Sequence, residues 1–196
     1  MTTGLVLDES HRYTLDGRRI GGVTSILKAL GLVDDRWFTT WACNRGQAVH
    51  YGVELMIRER LDWSTVDDRI KGYLTAALKF LEKAGAKPAE LQLEKKLVHP
   101  GLFYAGRADV IGVMFGEEAV VDWKSGALGH AGIQLAAYEW AERYGSGNPK
   151  PKARIAVQLR EDGTYTMTRY TKADDYLDWQ ACCRLYNRYH LHKERE

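Results

Sequence analysis

Tyr104-Ala105-Gly106-Arg107-Ala108-Asp109-Val110-Ile111-Gly112-Val113-Met114, Phe115-Gly116-Glu117-Glu118 and Ala119-Val120-Val121-Asp122-Trp123-Lys124 form the stretch that decides the fold. Two runs of β-formers flank a short glycine-containing segment, which predicts strands over Tyr104–Met114 and Ala119–Lys124 with Phe115–Glu118 as the hairpin loop. On the second strand Asp122 and Lys124 stand two residues apart, so their side chains share a face about 7 Å apart. An isolated Asp-x-Lys is ordinarily a salt bridge on a solvated hairpin. Here Ala119-Val120-Val121 leads Asp122 into what reads as a buried strand, where an unpaired charge is costly.

Toward the N-terminus, Leu91, Leu93 and Leu97 alternate with polar residues and predict another strand. Before them, Ile70, Tyr73, Leu74, Ala77, Leu78 and Leu81 recur at helical spacing, with Ser64 and Asp67 as a capping-box start and Gly85 as the stop. A long helix is expected from a cap at Asp34 or Asp35 to about Leu61, weakened at Gly46 and Gly52. A strand-turn unit over His11–Ile20, turning at Asp16-Gly17, precedes a short helix at Thr24–Leu30 that Gly31 ends. Toward the C-terminus come a helix at about His130–Tyr144, a loop at Gly145–Pro149 and a hairpin of Ala153–Arg160 with Tyr165–Tyr170 turning at Asp162-Gly163. A helix at about Lys172–His192 closes the chain. This order predicts one α/β domain over residues 1–196, a mixed β-sheet flanked by helices. Residues 1–85 are expected to be mainly helical, and residues 86–196 to hold the sheet core and its closing helices.

The 196 residues suffice for a sizeable core, with 45% hydrophobic and 28% charged residues. The net charge of +2 does not announce a nucleic-acid partner, so any such site depends on local focusing of basic groups. Cys43, Cys182 and Cys183 are too few and too badly spaced for a disulfide framework and point to a reducing compartment. Met1–Ser10 lacks the basic start and apolar run of a signal peptide, and no apolar stretch approaches the ~20 residues of a membrane span. The expected location is the cytoplasm, or the host cytoplasm for a phage-encoded chain, with no membrane partner.

Glu94, Asp109 and Asp122 fall on three predicted neighbouring strands, with Lys124 beside the last. Carboxylates converging at one end of a sheet suit Mg²⁺ or Mn²⁺. Asp109 and Asp122 are the natural ligands and Glu94 a third contributor. Lys124 would position or help deprotonate the attacking water, or offset charge on a scissile phosphate. Gly46 and His50 share a helix face, as do Gln134 and Tyr138.

The ordered set Gly46…His50, Glu94, Gly106-Arg107-Ala108-Asp109, Asp122-Trp123-Lys124 and Gln134…Tyr138 resembles the PD-(D/E)XK nuclease superfamily. It looks most like the RecB-type exonuclease branch, which includes phage exonucleases and the mitochondrial genome-maintenance exonuclease. The match runs from about Thr24 to Tyr138. The resemblance implies a restriction-endonuclease-like core and a Mg²⁺- or Mn²⁺-dependent DNA exonuclease. It further implies that His50 is a metal ligand and that Gln134 and Tyr138 line the catalytic site with Lys124, Asp122 and Asp109. Several relatives in that branch hold an iron–sulfur cluster on four cysteines. Three cysteines do not supply that set, so no cluster is expected.

Arg45, Lys95, Lys96, Arg107, Lys150, Lys152 and Arg154 are candidate phosphate contacts, although scattered basic residues are mostly solvated surface. Arg107, two residues from Asp109, is the strongest, and Arg45 and Lys96 are retained with it. Trp37, Trp41 and Trp63 could stack on unpaired bases, but tryptophans at helical spacing are more often core. Arg184, Arg188, Lys193 and Arg195 complement the dipole of the last helix. The expected substrate is DNA, as a single strand or a duplex end. With no Walker-type loop in the sequence, any helicase or recombinase partner is a separate chain. The rival readings are a structure-specific endonuclease or resolvase with the same chemistry, and an inactive DNA- or partner-binding module.

Overall fold

The computed structural model describes residues 4–8, 12–33 and 39–191. The proposed caps Asp34 and Asp35, as well as His11, Trp37, His192, Lys193 and Arg195, lie outside them. Among the described residues the order is β1 (Leu5–Leu7), β2 (Tyr13–Leu15), β3 (Arg18–Gly22), α1 (Val23–Ala29), α2 (Thr40–Ile57), α3 (Asp68–Lys83), β4 (Gln92–His99), β5 (Tyr104–Met114), β6 (Glu117–Lys124), α4 (Ala131–Ser146), β7 (Ala153–Leu159), β8 (Tyr165–Tyr170) and α5 (Asp174–Tyr189). The fold is α/β, with one mixed and mostly antiparallel eight-stranded sheet. One face packs against α1, α4 and α5 around Ile26, Leu135 and Trp179. The other packs against α2 and α3 around Val49, Leu74 and Phe80. No described helix is long and apolar enough to cross a membrane.

Two tight turns explain the hairpins. Asp16-Gly17 has φ of 49° and 75°, and Phe115-Gly116 has 53° and 80°. Both residues of a two-residue turn in the left-handed region match the twist of the flanking strands. The expected four-residue loop therefore shrinks to Phe115-Gly116, and Glu117 and Glu118 extend β6 to pair with Met114 and Val113. Phenylalanine is unusual in that conformation. Two ties hold it there. Its amide donates to the Ala84 carbonyl at 2.7 Å, and its ring stands edge-on to Phe80 at 6.0 Å.

The helix starts differ from expectation for local reasons. Thr39 caps α2, its hydroxyl accepting the Ala42 N–H at 3.1 Å. Asp67, not Ser64, caps α3 by accepting from the Arg69 amide. Ser64 belongs to a 3₁₀ turn whose own cap is Asp62. Two successive aspartates thus each claim a nearby N–H, and the extended Val66 separates the two turns. The first 85 residues also contribute β1–β3 to the same sheet, in addition to α1–α3.

Gly72 of α3 lies against the main chain at Glu161, in the β7–β8 connection, and a β-carbon there would overlap the Glu161 carbonyl oxygen. Backbone cannot yield as a side chain tip can. Gly72→Ala is expected to cost about 2–4 kcal/mol, lowering the thermal midpoint by roughly 5–15 °C. A melting curve followed by circular dichroism checks this, and an unchanged midpoint would refute the close approach.

Candidate metal centre in a forked sheet

The site arises where the sheet divides. β4 runs along one edge of β5, from Gln92↔Ile111 to His99↔Tyr104. Because β6 pairs with Val110–Met114 and β3 with Tyr104 and Ala105, both occupy the opposite edge. Between them, Gly106-Arg107-Ala108-Asp109 has no strand partner on that edge among the described residues. Into this gap opens a cleft of about 680 Å³ that takes in His50, the three acids, Lys124, Gln134, Tyr138 and Arg107.

Both β4 and β5 exchange faces at the fork. Leu91 and Leu93 pack on the α2–α3 side, but Leu97 packs in the α1–α4–α5 core. The three leucines therefore do not share one face, as simple alternation predicted. The reversal falls at Glu94, whose φ is +50°. In β5, Tyr104 and Ala108 belong to one core and Val110 and Met114 to the other, so the reversal falls beside Asp109. The pairs Leu93↔Val110 and Lys95↔Ala108 bracket Glu94 and Asp109, which are therefore opposite each other. A non-glycine residue in the left-handed region at a carboxylate cluster is the kind of strain found at functional sites.

The β5–β6 ladder begins at Val110↔Val121. One step further would set Asp109 across from Asp122. There the Trp123 N–H donates instead to Asp109 Oδ2 at 2.8 Å. The result is a row of carboxylates, Glu94, Asp109 and Asp122, across three neighbouring strands. Like charges placed opposite one another destabilise a sheet. Each has its own cationic neighbour. Arg107 Nε is 2.6 Å from Glu94 Oε2, His50 Nδ1 is 3.4 Å from Asp109 Oδ1, and Lys124 Nζ is 2.8 Å from Asp122 Oδ2.

His50, Glu94 and Asp109 each offer a ligand atom, all within 4.8 Å of one another. Asp122 is not in that group and is drawn to Lys124 instead. Its buried Oδ2 meets the Lys124 ammonium at 2.8 Å. A His–Glu–Asp trio whose ligand atoms lie this close together, with a further buried carboxylate beside it, fits a divalent cation. The oxygens suit Mg²⁺ and Mn²⁺, and the imidazole favours the softer of the two.

The ionisation pattern follows from these neighbours. Burial opposes charge on His50, but the charge of Asp109 and the hydrogen bond to it prevail and carry the imidazole to about 9. Burial pushes Asp109 up, yet His50 and Lys124 hold it below the usual carboxylate range. Asp122 rises through burial, with Lys124 pulling the other way and the Asp109 charge adding to the rise. Glu94 rises through burial and the nearby Asp109. Burial works against the Lys124 ammonium, but Asp122 more than compensates and raises it. Lys124 is therefore charged at neutral pH.

From α4, Gln134 Oε1 accepts from Lys124 Nζ at 2.8 Å, and Gln134 Nε2 donates to the Tyr138 hydroxyl at 3.0 Å. These two residues fix the ammonium rather than reaching the row of acids. Tyr138 fits because residue 106 is glycine: a β-carbon there would lie 2.7 Å from its ring and 2.9 Å from a Val23 methyl. At Gly46 a β-carbon would make only an ordinary 3.7 Å contact with Ser125, so the protein itself does not demand glycine there.

Of the three retained nucleic-acid candidates, Arg107 alone lines the cleft. Arg45 donates to the Ser125 carbonyl at 3.0 Å and lies over the Tyr73 ring, tying α2 to the segment after β6. Lys96 is exposed on β4, outside the cleft. Lys95, Lys152 and Arg154 are held by Glu142, Glu118 and Asp175, so they brace elements rather than wait for phosphate. Trp41 and Trp63 are 43% and 41% exposed and are not core; Trp41 lies under the Arg69 guanidinium. Cys182 and Cys183 are buried in the α1–α4–α5 core, and Cys43 is exposed at the cleft.

Sequence reasoning missed Gln47, Tyr51 and Glu54, which join His50 on the face of α2 turned to the cleft, and Thr24, which hydrogen-bonds Tyr138. The four-residue step from Gly46 to His50, carried one turn further, reaches Glu54 and was the available signal. No protein-family model matches the chain, and no curated protein matches it.

Proposed function

We propose that this chain is a Mg²⁺- or Mn²⁺-dependent deoxyribonuclease that hydrolyses phosphodiester bonds by direct attack of water, working from DNA ends. The observation that carries this reading is the row Glu94–Asp109–Asp122 at the open edge of the fork, with the Lys124 ammonium anchored beside it. His50, Glu94 and Asp109 would hold the cation, with the neighbouring Asp122 carboxylate as a further ligand. A divalent cation bound there supplies a water nucleophile at neutral pH and neutralises charge on the phosphate.

Lys124 is an ammonium without a lone pair, so its part is to meet negative charge developing on the phosphate oxygens, not to take a proton. Gln134 and Tyr138 are positioning residues that hold this ammonium at a set place. Arg107, at the rim, supplies a further phosphate contact. The preference for ends rests on the resemblance carried by His50 and Gln134…Tyr138.

End-labelled linear DNA, incubated with the purified protein in Mg²⁺, Mn²⁺ or EDTA, tests the reading. Linear strands are expected to shorten only with the cation, and closed circles to survive. Binding without cation-dependent shortening would leave a binding module, and cut circles would make the enzyme an endonuclease.

A further inference from the structure

Arg107 differs from the other two cations that meet the row of acids. It is the cationic neighbour of Glu94 at 2.6 Å, yet its side chain is 48% exposed whereas that of Glu94 is 21% exposed. His50 and Lys124 meet their acids from deeper in the site, with side chains 32% and 19% exposed. Arg107 also belongs to the segment of β5 that pairs with β4 on one edge and borders the cleft, with no strand partner among the described residues, on the other. Glu94 is the acid whose backbone is held at positive φ, and it sits directly across from Asp109. Without a cation, an arginine is what makes that opposition tolerable.

We propose that Arg107 is an exchangeable counterion. It neutralises Glu94 while the trio of His50, Glu94 and Asp109 is without its cation. When Glu94 is taken up as a ligand, the guanidinium is released to a non-bridging oxygen of the DNA strand. The inference rests on the proposed cation site and deepens it: cation and phosphate would then bind cooperatively because one arginine serves first the acid and then the phosphate. The guanidinium fork suits both partners, since carboxylate and phosphate offer the same paired oxygens.

A merely structural arginine makes the opposite prediction, because losing it would disorder Glu94 and weaken cation binding. The test is calorimetric titration of Mn²⁺ into Arg107→Gln, Arg107→Lys and Lys96→Gln proteins. It is paired with binding of a short phosphorothioate oligonucleotide, whose diesters keep their charge and resist hydrolysis. Lys96 is the control because it lies directly across β4–β5 from Arg107 but outside the cleft.

Arg107→Gln is expected to bind Mn²⁺ about three- to tenfold more tightly than wild type, because a competing positive charge is gone. Its oligonucleotide affinity in Mn²⁺ is expected to fall about tenfold, with the salt slope smaller by about one. Arg107→Lys should stay within about twofold for Mn²⁺ and lose part of the oligonucleotide affinity, and Lys96→Gln should shift Mn²⁺ affinity by less than about twofold. Equal or weaker Mn²⁺ binding by Arg107→Gln, unchanged oligonucleotide binding, or an Arg107→Lys protein as tight for Mn²⁺ as Arg107→Gln would each overturn the exchange. Cation uptake with this pattern but no shortening of labelled DNA would remove the nuclease reading and leave the exchange standing. Shortening of DNA without the gain in Mn²⁺ affinity would do the reverse.

Discussion

Lys124→Ala and Asp122→Asn are each expected to lower cleavage of end-labelled DNA by about 10²- to 10³-fold, the scale on which loss of one preorganised group at a reacting centre is felt. The two changes act differently on the fold. Asn keeps the shape of Asp122, whereas Lys124→Ala strands a carboxylate that is 1% exposed. Removing one partner of a buried pair costs several kcal/mol, and with Lys124 19% exposed about 2–3 kcal/mol is expected at neutral pH. The sign of its pH dependence is fixed by Asp122. Its carboxyl already lies above its unfolded value, so the folded state binds more protons and stability falls as pH rises. Without Lys124 the rise grows, and the stability gap between variant and wild type should narrow as the pH is lowered from 7.5 toward 5. Denaturant melts at several pH values read this directly. A Lys124→Ala protein that is fully active, from a preparation free of contaminating nuclease, would remove the proposed chemistry.

Why these residues could be named from sequence, and others not, comes down to the range of the interactions. Asp122 and Lys124 share a face by strand periodicity alone, and the alternation around Asp109 and Glu94 placed the acids on neighbouring strands. Gln134 and Tyr138 follow from the helical repeat. Each is a local pattern. The cleft itself is not local. It exists because β3, more than 80 residues before β5, docks parallel onto Tyr104 and Ala105 while β6 takes the other end of the same edge. Nothing near Gly21-Gly22 announces that partner. The exchange of faces at Glu94 was hidden for a related reason: a glutamate at positive φ breaks the alternation that made Leu91, Leu93 and Leu97 look like one stripe. The partners of Arg45 were not legible either, because a guanidinium meets a carbonyl and an aromatic face as readily as a phosphate. Glu94, by contrast, could be named as an acid but not as a strained one: the strand register sets it across from Asp109, and its positive φ is a separate feature that strand periodicity does not announce.

The affinity of the protein for Mn²⁺ is expected to fall about tenfold for each pH unit below about 9, through the proton on His50. A ligand imidazole must be neutral, yet Asp109 holds this one protonated well past neutrality. Cation binding at pH 7 must therefore expel close to one proton. Calorimetry in two buffers of different ionisation enthalpy measures that release, and between pH 8.5 and 6.5 the dissociation constant should rise by about two orders of magnitude. At lower pH the raised Glu94 and Asp122 carboxyls add to the same loss when they take up protons. Without cation the same histidine gives stability the opposite slope. Its folded value is raised from 6.5 to about 9, so its contribution is full below about 6.5 and disappears as pH climbs through about 9. For a side chain 32% exposed this amounts to about 1 kcal/mol. Alkaline conditions thus weaken the cation-free protein while strengthening its hold on Mn²⁺, and the stabilisation by Mn²⁺ should be largest near pH 9. His50→Gln removes both slopes if His50 is the ligand that must be freed. Proton release that persists unchanged in His50→Gln would assign it to another group and take His50 out of the cation site.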